Sequence, residues 1–344
     1  MSLKAKIKAG AESLGFVAIG FTSPEPVPGI QRFRAWVNKN HHAGMTYLAS
    51  QRSLDMRSDP RRLLPSCQTV ISLLSTYPAP GDLRSDNVAG QGTGTIAAYA
   101  LVPDYHDVLK QRLAKLSELI TELAGNDIEM YACVDSAPIL EKSYAQKAGL
   151  GWIGRNSLLL HPDYGSWTHL AELLVSLELE PDRVFERDGC GDCQLCVRAC
   201  PTGAILPERT IDARRCLSYL TIENRGPIPI EFRMAMGKRV FGCDQCQSVC
   251  PVNKRAHVQF QEKVIEKFPD LVESFGLSEE KFKLKYRHTP VWRAKYTGFR
   301  RNVAIAMGNS GKKDFIPLLE KSSLTEHDPI VADAIAWALG ELSS

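Results

Sequence analysis

The sequence predicts three consecutive units: a mixed α/β (α+β) unit over residues 1–181, a cysteine-rich unit over 182–258 held together by a metallocofactor, and a helical, HEAT-like tail over 259–344. Three observations carry this division. Helix-like and strand-like stretches alternate as far as Pro181, and eight of the ten cysteines fall between Cys190 and Cys250. The run Val303, Ala304, Ile305, Ala306, Met307, Gly308 is echoed 32 residues later by Ile335, Ala336, Trp337, Ala338, Leu339, Gly340, the period of a helical repeat.

In the first unit Leu3, Ile7 and Leu14 share one helical face, and Val17 to Phe21 follow as a strand. Further strands are expected at Thr69 to Thr76, Thr95 to Leu101, Ile128 to Val134 and Leu173 to Leu179, each bounded by Pro, Gly or polar turn residues. Asp104 or Tyr105 opens a helix in which Leu109, Leu113, Leu116, Ile120 and Leu123 recur at steps of three and four, and Gly125 ends it. Another helix begins over Ser136 to Glu141, with Pro138 in its first turn. The resulting layer is a sheet flanked by helices.

A chain of 344 residues with 44% apolar and 24% charged residues has ample material for a buried core and is unlike a disordered tail. Lys and Arg number 42 against 39 Asp and Glu, so the net charge of +3 gives no argument for nucleic-acid binding without a local patch. No run approaches the ~18–20 apolar residues that span a bilayer. Met1 to Ala11 carries Lys4, Lys6 and Lys8 but no apolar stretch with a cleavage site and no twin arginine, so a cytoplasmic chain is expected. There, clustered cysteines indicate metal ligation rather than disulfides, and Cys67 and Cys133 stand apart.

Cys190, Cys193, Cys196 and Cys200, followed by Pro201, have the spacing of bacterial two-cluster ferredoxins. Three thiolates two residues apart wrap three corners of one cubane, and the fourth is turned toward a second cluster. Cys243, Cys246 and Cys250 before Pro251 mirror that run, and Cys216 supplies the missing thiolate. One 4Fe-4S cluster is therefore assigned to Cys190, Cys193, Cys196 and Cys250, the other to Cys200, Cys216, Cys243 and Cys246. Zinc would need two separated pairs instead of a triplet and a Cys-Pro on each side. Two clusters imply electron delivery to an acceptor nearby.

Gly149, Gly151 and Gly154 spell a dinucleotide fingerprint, but a helix over Pro138 to Ala148 precedes them where a strand is required, so NAD and FAD are rejected. Asp104, Tyr105 and His106 begin like a corrinoid lower-ligand motif, yet Leu109 stands where that motif has glycine. Asp135 is either a helix N-cap or a half-buried acid at the C-terminal edge of a sheet, with a pKa raised toward proton donation. From Lys281 to Arg301 there are eight basic residues and no acidic ones, interleaved with Phe282, Tyr286, Trp292, Tyr296 and Phe299. That is either a solvated face or an RNA surface, and the aromatics favour RNA, with Lys281, Lys283, Lys285, Arg293, Lys295, Arg300 and Arg301 on phosphates.

Taken together, Met56 to Pro65, Tyr99 to His106, the VDSAP and PDYGSW motifs within Val134 to Trp167, the cysteines with DARRCLSYLTIE, and FRRNVAIAMGN resemble the epoxyqueuosine reductase family. The resemblance implies a cobalamin held base-off, without a histidine lower ligand, in the first unit beside the two 4Fe-4S clusters. It implies that an external low-potential donor supplies electrons for reduction of epoxyqueuosine to queuosine at the wobble position of a tRNA with a GUN anticodon. It makes Asp135 the proton donor, Arg57, Asn156, Ser157, Ser166 and Trp167 corrinoid contacts, and Ser218 a neighbour of the cluster. The family usually has Gly-Arg before Asp-Tyr-His; here Val102 and Pro103 occupy those positions. A monomer is expected. A corrinoid reductive dehalogenase is the second enzyme reading, and a ferredoxin-type carrier would leave residues 1–181 without a task.

Overall fold

The computed structural model describes residues 1–78, 92–256, 258 and 265–344. Its first unit runs α1 (Leu3–Ser13), β1 (Ala18–Thr22), α2 (Gly29–Asn38), α3 (Gln51–Ser58), β2 (Thr69–Thr76), β3 (Thr95–Ile96), α4 (Tyr105–Ala124), β4 (Met130–Cys133), α5 (Glu141–Lys147), β5 (Trp152–Ile153), β6 (Leu159–Leu160) and β7 (Thr168–Val175). The main sheet has the order β1-β2-β7-β4, and all three pairings are antiparallel. Alternation along β2 sends Ile71 and Leu73 to the face covered by α1 and α4, where Ile7, Ala11, Leu109, Leu113, Leu116 and Ile120 are buried. Val70 and Leu74 point to the other face, toward Tyr144 and Ala145 of α5. That face is close-packed at Gly20, where a Cβ would stand 2.1 Å from the Ala148 carbonyl oxygen.

Several expectations are corrected. The strand expected over Thr95–Leu101 stops at Ile96 because the chain turns into a 3-10 segment over Ala98–Ala100, with the Ala98 amide donating to Asp244 at 2.8 Å. The strand expected over Leu173–Leu179 starts five residues earlier and ends four earlier, running from Thr168 to Val175. The helix expected from Ser136 starts only at Glu141, so Asp135 is no N-cap. With an antiparallel sheet, the parallel-sheet rule that places ligands beyond the strand C-termini does not apply to Asp135. Asp104 does cap α4, its carboxylate accepting from the His106 amide at 3.0 Å, and Gly125 ends that helix at φ 107°.

The cysteine-rich segment contributes α6 (Leu195–Ala199), α7 (Leu217–Ile222), α8 (Ile230–Met236), β8 (Arg239–Phe241) and α9 (Gln245–Ser248). The tail follows with α10 (Leu271–Phe275), α11 (Glu279–Tyr286), α12 (Lys295–Asn309), α13 (Ile316–Ser323) and α14 (Pro329–Ser343). One apolar core joins Leu217, Leu220, Met236 and Phe241 to Phe299, Ile305 and Ile335, so packing is continuous across the second and third units. Residues 257 and 259–264, beside the expected boundary after 258, lie outside the described residues. No described helix is long and apolar enough to cross a membrane.

The two echoed runs lie on α12 and α14, which pack directly on each other. Their approach depends on Gly308: a Cβ there would come within 2.9 Å of Ala338 Cα and the Trp337 ring. Gly308→Val is expected to force the helices apart and lower stability by about 1–3 kcal/mol, read as a lower denaturation midpoint.

Candidate functional site

A cavity of about 1030 Å³ lies where the three units meet. Its walls are Arg32, Phe33 and Trp36 of α2 and Arg57 of α3, Tyr105 to Lys142 around the open end of the sheet, Arg209 to Glu223 from the cysteine-rich segment, and Thr289 to Lys295 from the tail. That is at the upper end of small-molecule sites and larger than a lone nucleoside needs. Backbone strain concentrates here. Among the described residues six non-glycine residues have positive φ, and Asp135 (49°), Ser157 (63°), Arg209 (59°) and Lys295 (61°) all line the cavity.

Asp135 sits just after β4, its side chain 60% exposed to the cavity. Its amide donates to Glu141 Oε1 at 2.6 Å, which holds the strained turn closed. Its Oδ2 meets His106 Nε2 at 3.1 Å, and His106 Nδ1 meets Asp104 Oδ1 at 2.7 Å. Burial disfavours a charged imidazole, but the hydrogen bonds and charges of the two carboxylates outweigh it and raise His106 to about 9. Burial would likewise raise Asp135, but the His106 hydrogen bond and charge, then the Tyr105 phenol and the Arg293 guanidinium, hold it below the usual carboxylate range. The expectation of a raised pKa at Asp135 is thus reversed. The acid whose pKa does rise is Glu141, pushed up to about 8 by burial and then by the charge of Asp135. Glu172, fully buried on β7 with neither oxygen hydrogen-bonded, is also pushed up by burial and Glu141.

Cys190, Cys193, Cys196 and Cys250, the four assigned to one cluster, together line a separate void of about 100 Å³. Among the described residues no three His, Cys, Asp or Glu side chains are placed to grip a single metal ion. A space bounded by four thiols is compatible with a cubane. The Trp152 indole N–H donates to Cys190 Sγ at 3.4 Å. Cys243, Cys216 and Cys200 act electrostatically on Cys246, and so does Cys196 of the other four, so the two sets of thiols lie close to each other. Cys216, which feels the charges of Cys243 and Cys200, also lines the large cavity beside Ser218. Burial raises its thiol to about 11, partly offset by the Tyr219 and Ser218 amides at the start of α7.

Arg57, Ser157 and Ser218, the last of them expected beside a cluster, line the cavity. Asn156, Ser166 and Trp167 do not. Asn156 faces the first cluster's void. Ser166 is buried, its amide donating to Asn253 Oδ1 at 2.7 Å and its hydroxyl to Gln247 Oε1 at 2.9 Å, while Trp167 packs on Tyr77 and Ala98. Ser166 therefore braces the segment that carries Cys246 and Cys250. In the tail, Lys281, Lys283, Lys285, Arg293 and Lys295 are exposed, the last two on the cavity rim. Arg301 is 1% exposed and donates to the carbonyls of Leu220, Asn224 and Gly226. Arg300 is half-buried in an ion pair with Glu326 at 2.5 Å. Neither arginine is available to a phosphate. Phe282, Tyr286 and Phe299 pack on one another in the core with tilted rings, so of the interleaved rings only Trp292 reaches the cavity. Asp104, Tyr105, His106, Glu141 and Lys142 are site residues that the sequence reading did not assign, although Asp-Tyr-His stood out as a motif.

The comparisons with known proteins agree with this geometry. The family described as Epoxyqueuosine reductase QueG, DUF1730 matches residues 57–136, and the 4Fe-4S double cluster binding domain matches residues 189–253. Epoxyqueuosine reductase of Escherichia coli K12 is 39% identical, with 98% of this chain and 89% of that protein covered. Its counterpart in Pseudomonas aeruginosa is 39% identical over 98% and 94%. Among solved structures, the Streptococcus thermophilus enzyme superposes with a TM-score of 0.89 at 29% identity, covering 99% of this chain and 90% of that one. An epoxyqueuosine reductase with an epoxyqueuosine-modified tyrosine tRNA stem loop superposes at 0.85 and 26% identity, covering 99% of both. With two 4Fe-4S clusters in its cysteine-rich segment, the chain belongs to the epoxyqueuosine reductase family.

Proposed function

We propose that this chain reduces epoxyqueuosine to queuosine at the wobble position of tRNA carrying a GUN anticodon, using two 4Fe-4S clusters and a base-off cobalamin. The observation that carries the reading is Cys216, which stands among the second cluster's thiols and in the wall of the cavity. The division follows from it: residues 1–181 hold the corrinoid, 182–258 the clusters, and the HEAT-like tail over 259–344 the tRNA. Such a chain works in the cytoplasm as a monomer. An external low-potential donor meets it at the first cluster, where Cys193 is exposed and Leu195 is 44% exposed.

The residues present fit a cobalamin. The cavity has the volume, and both ring nitrogens of His106 are already engaged by Asp104 and Asp135, which supports a corrinoid without a histidine ligand. When bound, the corrinoid supplies a strongly reducing metal centre that accepts electrons singly from the clusters. Arg57, Ser157 and Ser218 would hold it. Arg57 is itself steadied by Ser53 at 2.5 Å and by the face of Phe33. Conversion of epoxide to alkene consumes two electrons and two protons and releases water, so acids in the wall must serve the opening oxygen. Asp135 is the nearest to open space. Lys281, Lys283 and Lys285 on α11, with Arg293 and Lys295 at the rim, supply cations for the backbone of an anticodon stem loop.

The deciding experiment is anaerobic incubation of reconstituted protein with precursor tRNA and a chemical reductant, followed by nucleoside mass analysis. Loss of one oxygen is expected; unchanged epoxyqueuosine overturns the reading. In the same assay Asp135→Asn should keep iron and corrinoid but lose about 10²-fold or more in rate. Replacing Cys190 with Ala should leave about half of the roughly eight irons of the loaded protein. Charge reversal at Lys281, Lys283 and Lys285 together should weaken tRNA binding and flatten its salt dependence, measured by filter binding across a salt series.

A further inference from the structure

We propose that Asp104, His106 and Asp135 form a proton-delivery chain in which His106 recharges Asp135 from solvent during each reduction. This deepens the proposed function and rests on it. Asp104 Oδ1 and Asp135 Oδ2 take the two ring nitrogens of one imidazole at 2.7 and 3.1 Å, an arrangement that fixes both the ring plane and the direction of transfer. The ring is clamped from behind: Tyr105 stacks on it at 4.2 Å, and His169 of β7 stacks on Tyr105 at 4.1 Å. One end of the chain opens into the cavity through Asp135, and the imidazole side chain keeps 29% exposure, which gives water a way in.

Without this chain the acid is in the wrong state. Asp135 is held ionised, whereas His106 stays protonated to about pH 9. As charge develops on the substrate oxygen, His106 passes its Nε2 proton to Asp135 Oδ2, and Asp135 gives a proton to that oxygen. Left neutral, His106 takes a proton from water, and the cycle repeats for the second proton that leaves as water. Asp104 is a positioning residue, because its charge keeps the imidazolium favoured between cycles. The other groups that face this chain are Tyr105 and Lys110 of α4, His169 of β7, Glu141 and Lys142 of α5, Arg57 of α3, Tyr47 and Tyr99, and Arg293 from the tail across the cavity. Burial lowers His169 to about 3, so it stays neutral and takes no part in the exchange.

Asp104→Asn is the discriminating variant, because asparagine caps a helix as well as aspartate does and only the charge is lost. The protonated form of His106 disappears as pH rises through its folded pKa, so single-turnover rate in the loaded wild type should fall above about pH 9. In Asp104→Asn that fall should begin at least about one pH unit lower, with corrinoid content and tRNA affinity unchanged. NMR titration of labelled histidines in the cofactor-free chain, assigned with His106→Asn, should show the same displacement. His106→Asn should lose about 10²-fold in single-turnover rate. An unmoved His106 titration in Asp104→Asn, an unmoved alkaline limb, or a His106→Asn rate within about twofold of wild type overturns the chain. Wild type that leaves the precursor unreduced sinks the proposed function instead, and the histidine titration still reads the chain by itself.

Discussion

In the proposed ligation the rest of the molecule depends on one constraint: Cys216 must stand with Cys200, Cys243 and Cys246 while remaining in the wall of the large cavity. Electron transfer from a cluster to anything bound in that cavity is short only if this thiol serves both places. Much of the packing can be understood as enforcing it. Cys216 is the N-cap of α7, whose Leu217 and Leu220 enter the core shared with α12 and α14. Arg301 reaches from α12 to the carbonyls of Leu220, Asn224 and Gly226, fastening the segment that follows. The tail thereby does structural work for the cluster segment as well as presenting cations.

A second brace acts from the sheet side. The PDYGSW turn docks on the segment after α9 through Ser166, Asn253 and Gln247, with Gly165 pressed so close that a Cβ would lie 2.2 Å from Asn253 Oδ1. A motif that resembles a ligand-contact signature is in this chain a joint between the first unit and the two cysteines at the far end of the cluster segment. Within this buried network Ser166 bonds to both Asn253 and Gln247, which is what makes such a joint specific as well as stable.

The sequence made the cysteine assignment legible because cubane ligation imposes a local spacing, and the void lined by Cys190, Cys193, Cys196 and Cys250 follows that grouping. Period and caps likewise located α4 and β2 to the residue. The strand β7 was displaced because Glu172, a buried carboxyl, interrupts its apolar pattern, a cost that only the tertiary surroundings explain. The basic tail misled for a related reason: a residue's charge says nothing about whether it faces solvent, and Arg301 spends its donors on backbone carbonyls. Asp135 was found by motif, but the pairing that sets its protonation spans β4 and α4, 29 residues apart, and no local pattern encodes it.

The most direct test of the link between clusters and cavity is a count of electrons without any external reductant. Fully loaded protein, reduced and then freed of reductant, is mixed anaerobically with precursor tRNA, and the clusters are followed by electron paramagnetic resonance while the nucleoside is weighed. Counted from a corrinoid that starts and ends in the same oxidation state, two clusters hold about two electrons, so about one queuosine per chain should form as both cluster signals vanish. Product formed while both signals persist, or signals lost without product, would contradict the account.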